Sequence, residues 1–534
     1  MSILYRLGTR DSALAMVQAR RVKTLLEKIC YDDKIRFEIV PLKTIGDVQT
    51  QVPLWQIPGE GFFTKELDTA LTEKSVDFVV HSYKDLGFTR PSNFCLAAVS
   101  RREYPYDILL LRTESAQALL KGQWQNKEFI IGTSSPRRTL VDSPFLEKYF
   151  SLKNPAIKVT TKNLRGNVPS RLRKLLSGDY DATIMALAGL ERLALNDQEA
   201  LPSLEALTYL VLPLSECPPA PAQGALAIEC RSEEKDKNSD LFKLLTQLND
   251  RLARFEIGKE KEIFHAYGGG CHLPLGVYAK SFDDFYLINS RGVVDGKTVL
   301  QRDIFPTYQV IEKRDPSPLF VGLPQEKGKH LLSQYQTRAI VLDRLLEKRP
   351  IVDAKVTSIG NKIFYITSSY CLLALEQSNF YNGDEIWSAG VKTMFSLFKR
   401  GYWVHGSASL MGESELVELS SSMFLSLFKG KHLPCYFFSH SKAQTSLGKI
   451  VPCYEHKIVP TTLIDHDLSN VKIFYWTSFT QYKIYKEHFP EIIDNPESFH
   501  ACGLGKTFKR MREAGVMVTP FFSIEDFLER FQLS

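Results

Sequence analysis

From its fourth residue onward the chain alternates short apolar runs that end in polar loops with stretches of helical period, and few folds satisfy that rhythm. "LYRLGTR" reads as a strand entering a loop, "SALAMVQARRVKTLLEKI" as an amphipathic helix, and "RFEIVPLKTIGD" as the next strand and loop. The order recurs through "FFTKELDTALTEKS", "VDFVVHSYKDL", "EFIIGTSSPRR", "VTTKNLRGNVPSRLRKLLSG" and "YDATIMALAGLERL". Strands separated by helices pair in parallel, so the expected fold class is α/β. Near position 230 the rhythm changes. "RSEEKDKNSDLFKLLTQLNDRLARFEIGKEKEIFHAY" is helical, and "VYAKSFDDFYLINSRGVVDGKTVLQRDIF" carries hairpin strands around an Asp-Gly turn, which predicts a small α+β unit. Positions 309–335 are rich in proline, glycine and charge and read as a linker. A second alternating region follows.

At 534 residues the chain is too long for one core, and three or four domains are expected. Its nine cysteines show no C-x-x-C pair and no regular spacing, which argues for reduced thiols in a cytoplasmic setting, and for neither a disulfide framework nor a metal site. The amino terminus lacks the basic region, apolar run and cleavage site of a signal peptide, and no apolar run is long enough to span a bilayer. A soluble, unprocessed protein is expected, with no membrane partner. The net charge of +6 is modest for this size and does not by itself indicate nucleic acid.

Where the charges fall says more. In an open parallel sheet, ligands bind beyond the carboxyl ends of the strands. After "FVV" come His81, Ser82, Lys84 and Asp85. After "FII" come Thr133 to Ser135, then Pro136, Arg137 and Arg138. Pro136 suits a first helical turn, so the hydroxyls can cap while free amides and guanidiniums face outward. "NLRGNVPSRLRKLL" repeats the device with Arg165, Gly166 and Arg171, and Arg10 follows the first strand. Arginine forks bind carboxylates or phosphates in pairs, so a ligand with several anionic groups is expected. The bland alternative is solvated surface charge. Asp85 is a carboxylate among cations: it either stabilises a developing cation and shuttles protons, or merely pairs with Lys84 or an arginine. The arginines lie at strand ends, not along a basic stripe with stacking aromatics, which disfavours nucleic acid.

"AYGGGCHLPLG" sets Cys271 behind three glycines. Glycines permit positive φ and close approach of another group, a geometry suited to a reactive or covalently loaded thiol, although a free cysteine is usually a small buried hydrophobe. In the last third, strand, Thr-Ser turn and helix occur twice, with "FYITSS" at 364 echoed by "FYWTSF" at 474. "GLGKT" lacks the four-residue spacing of a phosphate loop and reads as a helix start, not a nucleotide site.

"GTRDSALA", "HSYKDL", "GTSSPRR", "LRGNVPSRLRKL", "YDATIMALAGLERL", "PAQGALAIECR" and "GGGCHLPLG" resemble hydroxymethylbilane synthase, also called porphobilinogen deaminase, in order and spacing over about residues 1–308. The resemblance implies two α/β domains of periplasmic-binding-protein type, at 1–103 with 205–228 and at 104–204, and a small α+β domain at 229–308 carrying the cofactor cysteine. It implies a dipyrromethane cofactor held by Cys271 through a thioether. Asp85 would be the catalytic carboxylate, stabilising the azafulvene-like cation formed when porphobilinogen loses ammonia. Arg10, Ser82, Lys84, Thr133, Ser135, Arg137, Arg138, Arg165 with Gly166, and Arg171 would bind the acetate and propionate groups of cofactor and substrate, with Gln223 and Gly224 in the interdomain strand nearby. The chain departs from the family pattern at Glu60, where lysine is frequent, at Gly87, where proline is frequent, and at Tyr104 and Tyr106, which replace aspartate and arginine.

Residues 336–534 resemble uroporphyrinogen-III synthase, a two-lobed α/β enzyme that closes hydroxymethylbilane while inverting its last ring. There a tyrosine often helps the leaving hydroxyl, and Tyr485 or Tyr482 lies nearest that position. The combined expectation is a monomeric bifunctional enzyme that condenses four porphobilinogens and cyclises the product. The alternatives are a deaminase with a non-catalytic carboxyl half, and a non-enzymatic anion-binding protein.

Overall fold

The computed structural model describes residues 3–531 except 31, 33, 45–63, 88, 126–127, 271, 283–284, 306–316, 325–327, 329–330, 332–338, 382, 430–432 and 460–466. Glu60 and Cys271 therefore lie outside the described residues. The fold is mixed α/β, and no helix among the described residues is long and apolar enough to cross a membrane.

The first sheet is built from β1 (Ile3–Arg10), β2 (Ile35–Leu42), β3 (Phe78–Ser82), β4 (Phe94–Val99) and β10 (Leu226–Arg231), in the order β2-β1-β3-β10-β4. The first three run parallel, and β10 runs antiparallel between β3 and β4. Ser12 caps the helix Ala13–Ile29 by accepting from the Ala15 amide. That helix buries Val17, Ala19, Val22 and Leu26, the last three in one cluster with Leu7, Phe37 and Phe78 of the sheet. Because β10 is antiparallel, its start meets the end of β3, with Leu226 opposite Ser82, and Gln223 to Ala225 reach the edge where Arg10 and Ser82 emerge.

The second sheet contains β5 (Asp107–Arg112), β6 (Glu128–Gly132), β7 (Lys158–Lys162), β8 (Ala182–Ala186) and β9 (Leu207–Val211), ordered β9-β5-β8-β6-β7. This corrects the boundary expected at 205. β9 pairs antiparallel with β5 and completes the second core, so only the chain after Val211 returns to the first sheet. After β7, Asn167 caps the helix Val168–Leu176, with Pro169 in its first turn.

The third unit packs the helix Arg251–Ala266 against the antiparallel sheet β11 (Leu275–Ser281), β12 (Tyr286–Val294) and β13 (Lys297–Phe305). Asp295 and Gly296 both take positive φ, the requirement of a two-residue hairpin turn of the expected kind. Its boundary at 229 also needs correction. Leu241 and Leu245 bury into the first sheet's core, so the helices before Arg251 belong to that unit. The helix Arg251–Ala266 closes with Gly268 donating to His265 O and Gly269 to Phe264 O, and Gly268, Gly269 and Gly270 all have positive φ (99°, 64° and 91°). Any side chain at these positions would strain the backbone that leads into Cys271.

The expected linker is partly a strand. β14 (Leu319–Pro324) pairs parallel with β15 (Ile340–Asp343) and β22 (Ile473–Trp476), and its Leu319, Phe320 and Val321 are buried. Proline and charge on both sides hid a short apolar run. With β23 (Phe499–Gly503) and β24 (Thr519–Phe521) these form one parallel sheet, β15-β14-β22-β23-β24. The chain leaves it along β16 (Leu346–Pro350) and returns along β21 (Lys449–Ile458), two antiparallel neighbours. Between them lie β17 (Ile363–Ile366), β18 (Glu385–Ser388), β19 (Gly406–Ser407) and β20 (Cys435–His440), in a second sheet ordered β16-β21-β20-β17-β18-β19. The echoed segments are equivalent: β17 and β22 each run into a threonine and then a serine, Ser368 or Ser478, that caps the following helical turn.

This last sheet does not stand alone. β19 pairs parallel with β9 of the amino-terminal half, producing one sheet of eleven strands. The cores are shared as well. Tyr149 and Phe150 of the first half pack on Phe398 of the second, with Tyr149 and Phe398 ring centres 4.3 Å apart. Glu191, buried, accepts from Ser422 Oγ at 2.6 Å and from the Met423 and Phe424 amides at 2.9 Å each, capping the helix Met423–Lys429. Tyr104 bonds Ser421 at 3.1 Å and Tyr106 is buried in the common cluster, so both tyrosine departures face the carboxyl half.

Candidate active site

A cavity of about 680 Å³ opens between the first and second sheets, where their polar strand ends face each other. Arg10, Ser82, Lys84, Asp85, Arg138, Arg165, Gly166, Arg171 and Gln223 line it. β3 ends at Ser82, and one 3-10 turn, Tyr83–Asp85, buries Tyr83 and turns Lys84 and Asp85 toward the cavity. Ser82 Oγ is held by the Gln18 amide at 2.9 Å. Lys84 Nζ donates to Gln223 Oε1 at 3.2 Å, and the buried Gln223 amide donates onward to Pro105 O at 2.9 Å.

Burial and mutual repulsion work against several of the cations here. Burial, aided by Arg138 and Arg137, lowers the Lys84 ammonium to about 8 despite the neighbouring Asp85. Arg171 is lowered to about 10, first by burial and then by Arg138 and Arg165, with Asp85 opposing. Arg165 is lowered by burial and by Arg10. Such a cluster is relieved by bound anions. Asp85 is the carboxylate whose field reaches both Lys84 and Arg171.

Arg137 departs from the expectation. It is buried, does not line the cavity, and pairs with Asp107 and Asp142 while donating to Pro218 O at 3.1 Å. Arg138 spans both roles: Nη2 meets Asp107 at 2.7 Å and Nη1 meets Ile184 O at 2.8 Å, yet the side chain borders the cavity. Burial works against the Asp107 charge, but Arg137 and Arg138 outweigh it and hold that carboxyl below its usual range. Thr133 and Ser135 also fall outside the lining. Thr133 Oγ1 accepts from the Ser135 amide at 3.2 Å, so these hydroxyls shape the turn that carries the arginines.

Sequence reasoning missed Gln18 and Arg192, both lining residues. Arg192 Nη2 donates to Gly224 O at 2.7 Å, and burial lowers the guanidinium to about 10. The available signal was an arginine inside "LAGLERLAL", a helix apolar on nearly all sides, where a solvated charge has no place.

In the carboxyl half the tyrosine expectation fails. Tyr485 is fully buried and donates to Asp343 Oδ1 at 2.7 Å, and Tyr482 is buried beside Trp476 in the same core. Polar residues gather instead between the two lobes. Lys348 stands opposite His456 on β16 and β21, and His440 on β20 lies with its ring centre 5.3 Å from that of His456. Burial and the charges of Arg510, Lys506 and Lys348 lower His440 to about 4; burial, Lys348, His440 and Lys442 do the same to His456.

The profile of a family described as porphobilinogen deaminase, dipyromethane cofactor binding domain, matches residues 5–239. Porphobilinogen deaminase of Bacillus velezensis is 34% identical over 299 residues, covering 55% of this chain and 85% of that protein. The chain belongs to the porphobilinogen deaminase family. Family members from Syntrophomonas wolfei (38% identical, 52% of this chain and 80% of that one) and Helicobacter hepaticus (36%, 61% and 94%) agree. A probable amino-acid ABC transporter extracellular-binding protein of Bacillus subtilis aligns with 46% of the chain and 92% of its own at 13% identity and a TM-score of 0.26, a likeness too remote to weigh. The cofactor of this family's matched domain is dipyrromethane. The cavity fits it, because Lys84, Arg165 and Arg171 in its wall would hold the carboxylates of such a cofactor, and Arg138 Nε is buried without an acceptor among the described residues.

Proposed function

We propose that the amino-terminal half condenses porphobilinogen into hydroxymethylbilane with loss of ammonia. The observation that carries this is Asp85, a carboxylate set in a cavity that Arg10, Lys84, Arg138, Arg165, Arg171 and Arg192 also line, with Asp11 as the other carboxylate in its wall. Bound through Cys271, the cofactor supplies the pyrrole on which the chain is extended. Arg10, Lys84, Arg165 and Arg171 hold the acetate and propionate groups, and every added ring brings two more carboxylates. Asp85 faces the charge that develops as ammonia leaves porphobilinogen. Two unit charges about 4 Å apart near a protein surface interact by about 4 kcal/mol, enough to matter to a barrier. Asp85 also accepts and returns the pyrrole N–H proton. The test is Asp85→Asn with porphobilinogen as substrate: a fall of about 10²- to 10⁴-fold in turnover with ligand retained supports the assignment. Unchanged turnover removes it, and binding without any turnover in the parent protein would point to an anion-binding role.

The lobes of the carboxyl half favour a second activity, cyclisation of hydroxymethylbilane. Its support is the cluster of Lys348, His440 and His456 under the charges of Lys506 and Arg510, a setting suited to a polycarboxylate. Uroporphyrinogen III formed from porphobilinogen by this protein alone is the expected product; isomer I would mean unassisted closure and leave the carboxyl half without that role.

A further inference from the structure

Two cysteines outside the cavity stand face to face in the first sheet. Cys95 on the edge strand β4 is the direct register partner of Cys230 on β10. Their sulfurs are 3.5 Å apart. Directly opposed antiparallel residues have Cα atoms about 4.5–5.5 Å apart, inside the range a disulfide spans. The two differ in access: Cys95 is partly exposed and Cys230 is fully buried among the side chains of the first core. The Cys230 contact first and Lys235 on the short helix after β10 more weakly favour the Cys95 thiolate, against burial and Glu229. An accessible thiol with a resolving thiol directly behind it is the arrangement thiol–disulfide exchange requires.

We propose that Cys95 and Cys230 form a thiol–disulfide exchange site that accepts a small-molecule disulfide such as oxidised glutathione. The Cys95 thiolate attacks one sulfur of the oxidant, and the S–S bond breaks to release one glutathione thiolate, which takes up the Cys95 proton. Cys230 then attacks the Cys95 sulfur of the mixed disulfide. The second glutathione leaves as a thiol with the Cys230 proton. The protein loses two protons and two electrons, and one oxidised glutathione becomes two reduced ones. The resulting bond spans 135 positions of sequence and ties β4 to β10, the strands adjoining both chain crossings between the first and second units.

The full-length protein, freed of reductant, is incubated with oxidised glutathione, alkylated and mapped by peptide mass spectrometry without reduction. The expected result is a cross-linked pair of peptides containing Cys95 and Cys230, two hydrogens lighter than their sum. Cys230→Ser should instead retain one glutathione on Cys95. The partly exposed Cys30 serves as an internal reference. If Cys30 becomes glutathionylated while Cys95 and Cys230 are both alkylated, the proposal is wrong. A wild-type mixed disulfide on Cys95 that never resolves onto Cys230 also overturns it. Both outcomes are read from wild-type protein, so a poorly folding variant does not blunt the test.

Discussion

Gly406 lies in parallel register with Val211, and this pairing joins the carboxyl half to the sheet of the deaminase half. A Cβ built on Gly406 would collide with the buried Trp387 ring of the neighbouring strand β18, so a side chain at this position must displace that ring. Gly406→Ala is expected to cost about 1–3 kcal/mol, the usual range for overpacking, read as a lower urea midpoint. An unchanged midpoint would show that the Trp387 ring yields easily.

Because Tyr149, Phe150, Phe129 and Leu109 share one core with Phe398 and Met394, the halves should unfold together. Phe398→Ala is expected to cost about 3–5 kcal/mol and to lower porphobilinogen turnover at elevated temperature, though Phe398 lies in the other half. A fragment ending near residue 308 exposes this core and should aggregate. A fragment that is monomeric and as stable as the whole chain would refute the shared unit.

Glu191 tests the polar side of the same junction. Truncation to alanine leaves Ser422 Oγ and two amides without their acceptor, a loss of about 1–3 kcal/mol, whereas Tyr104→Phe, at an exposed bond, should lose less. Chemical denaturation ranks the two; the reverse order would contradict the contacts.

Lys84 gives a pH dependence of defined sign. In the free cleft its charge is lost as pH rises through about 8, so affinity for a polycarboxylate should be full below that value and weaken from pH 7 to 9. Lys84→Arg keeps its charge and should flatten the profile. Stability runs the other way. Folding lowers this amine from 10.5 to about 8, so its penalty is full below about 8 and fades as pH climbs toward 10.5. Titration calorimetry across this window decides the first point and thermal melts the second.

The strand–helix rhythm and the strand-end polar clusters were legible because period and position are local properties. That legibility extends to Asp85, Lys84, Arg165 and Arg171, which the fold brings to one cavity. Arg137 misled because its partners, Asp107 and Asp142, are invisible to spacing: a guanidinium after a strand looks the same whether it meets a ligand or a buried carboxylate. Tyr485 misled similarly, since a tyrosine on an amphipathic helix can face either the core or a cleft. β14 was hidden by its flanks. The junction of the halves left no trace at all, because β19 is two residues long and its partner lies 195 positions away.

The shared sheet also makes the carboxyl half a lever. In the strand order, β8 borders the cavity and β16 lies eight steps away at the far edge. At about 4.8 Å per step that arm is about 38 Å, so each degree by which the first unit turns against β8 sweeps the far edge by about 0.7 Å. Small adjustments around a growing ligand are thereby magnified at the opposite end of the molecule, where a pair of probes on the first sheet and on β16 would register them.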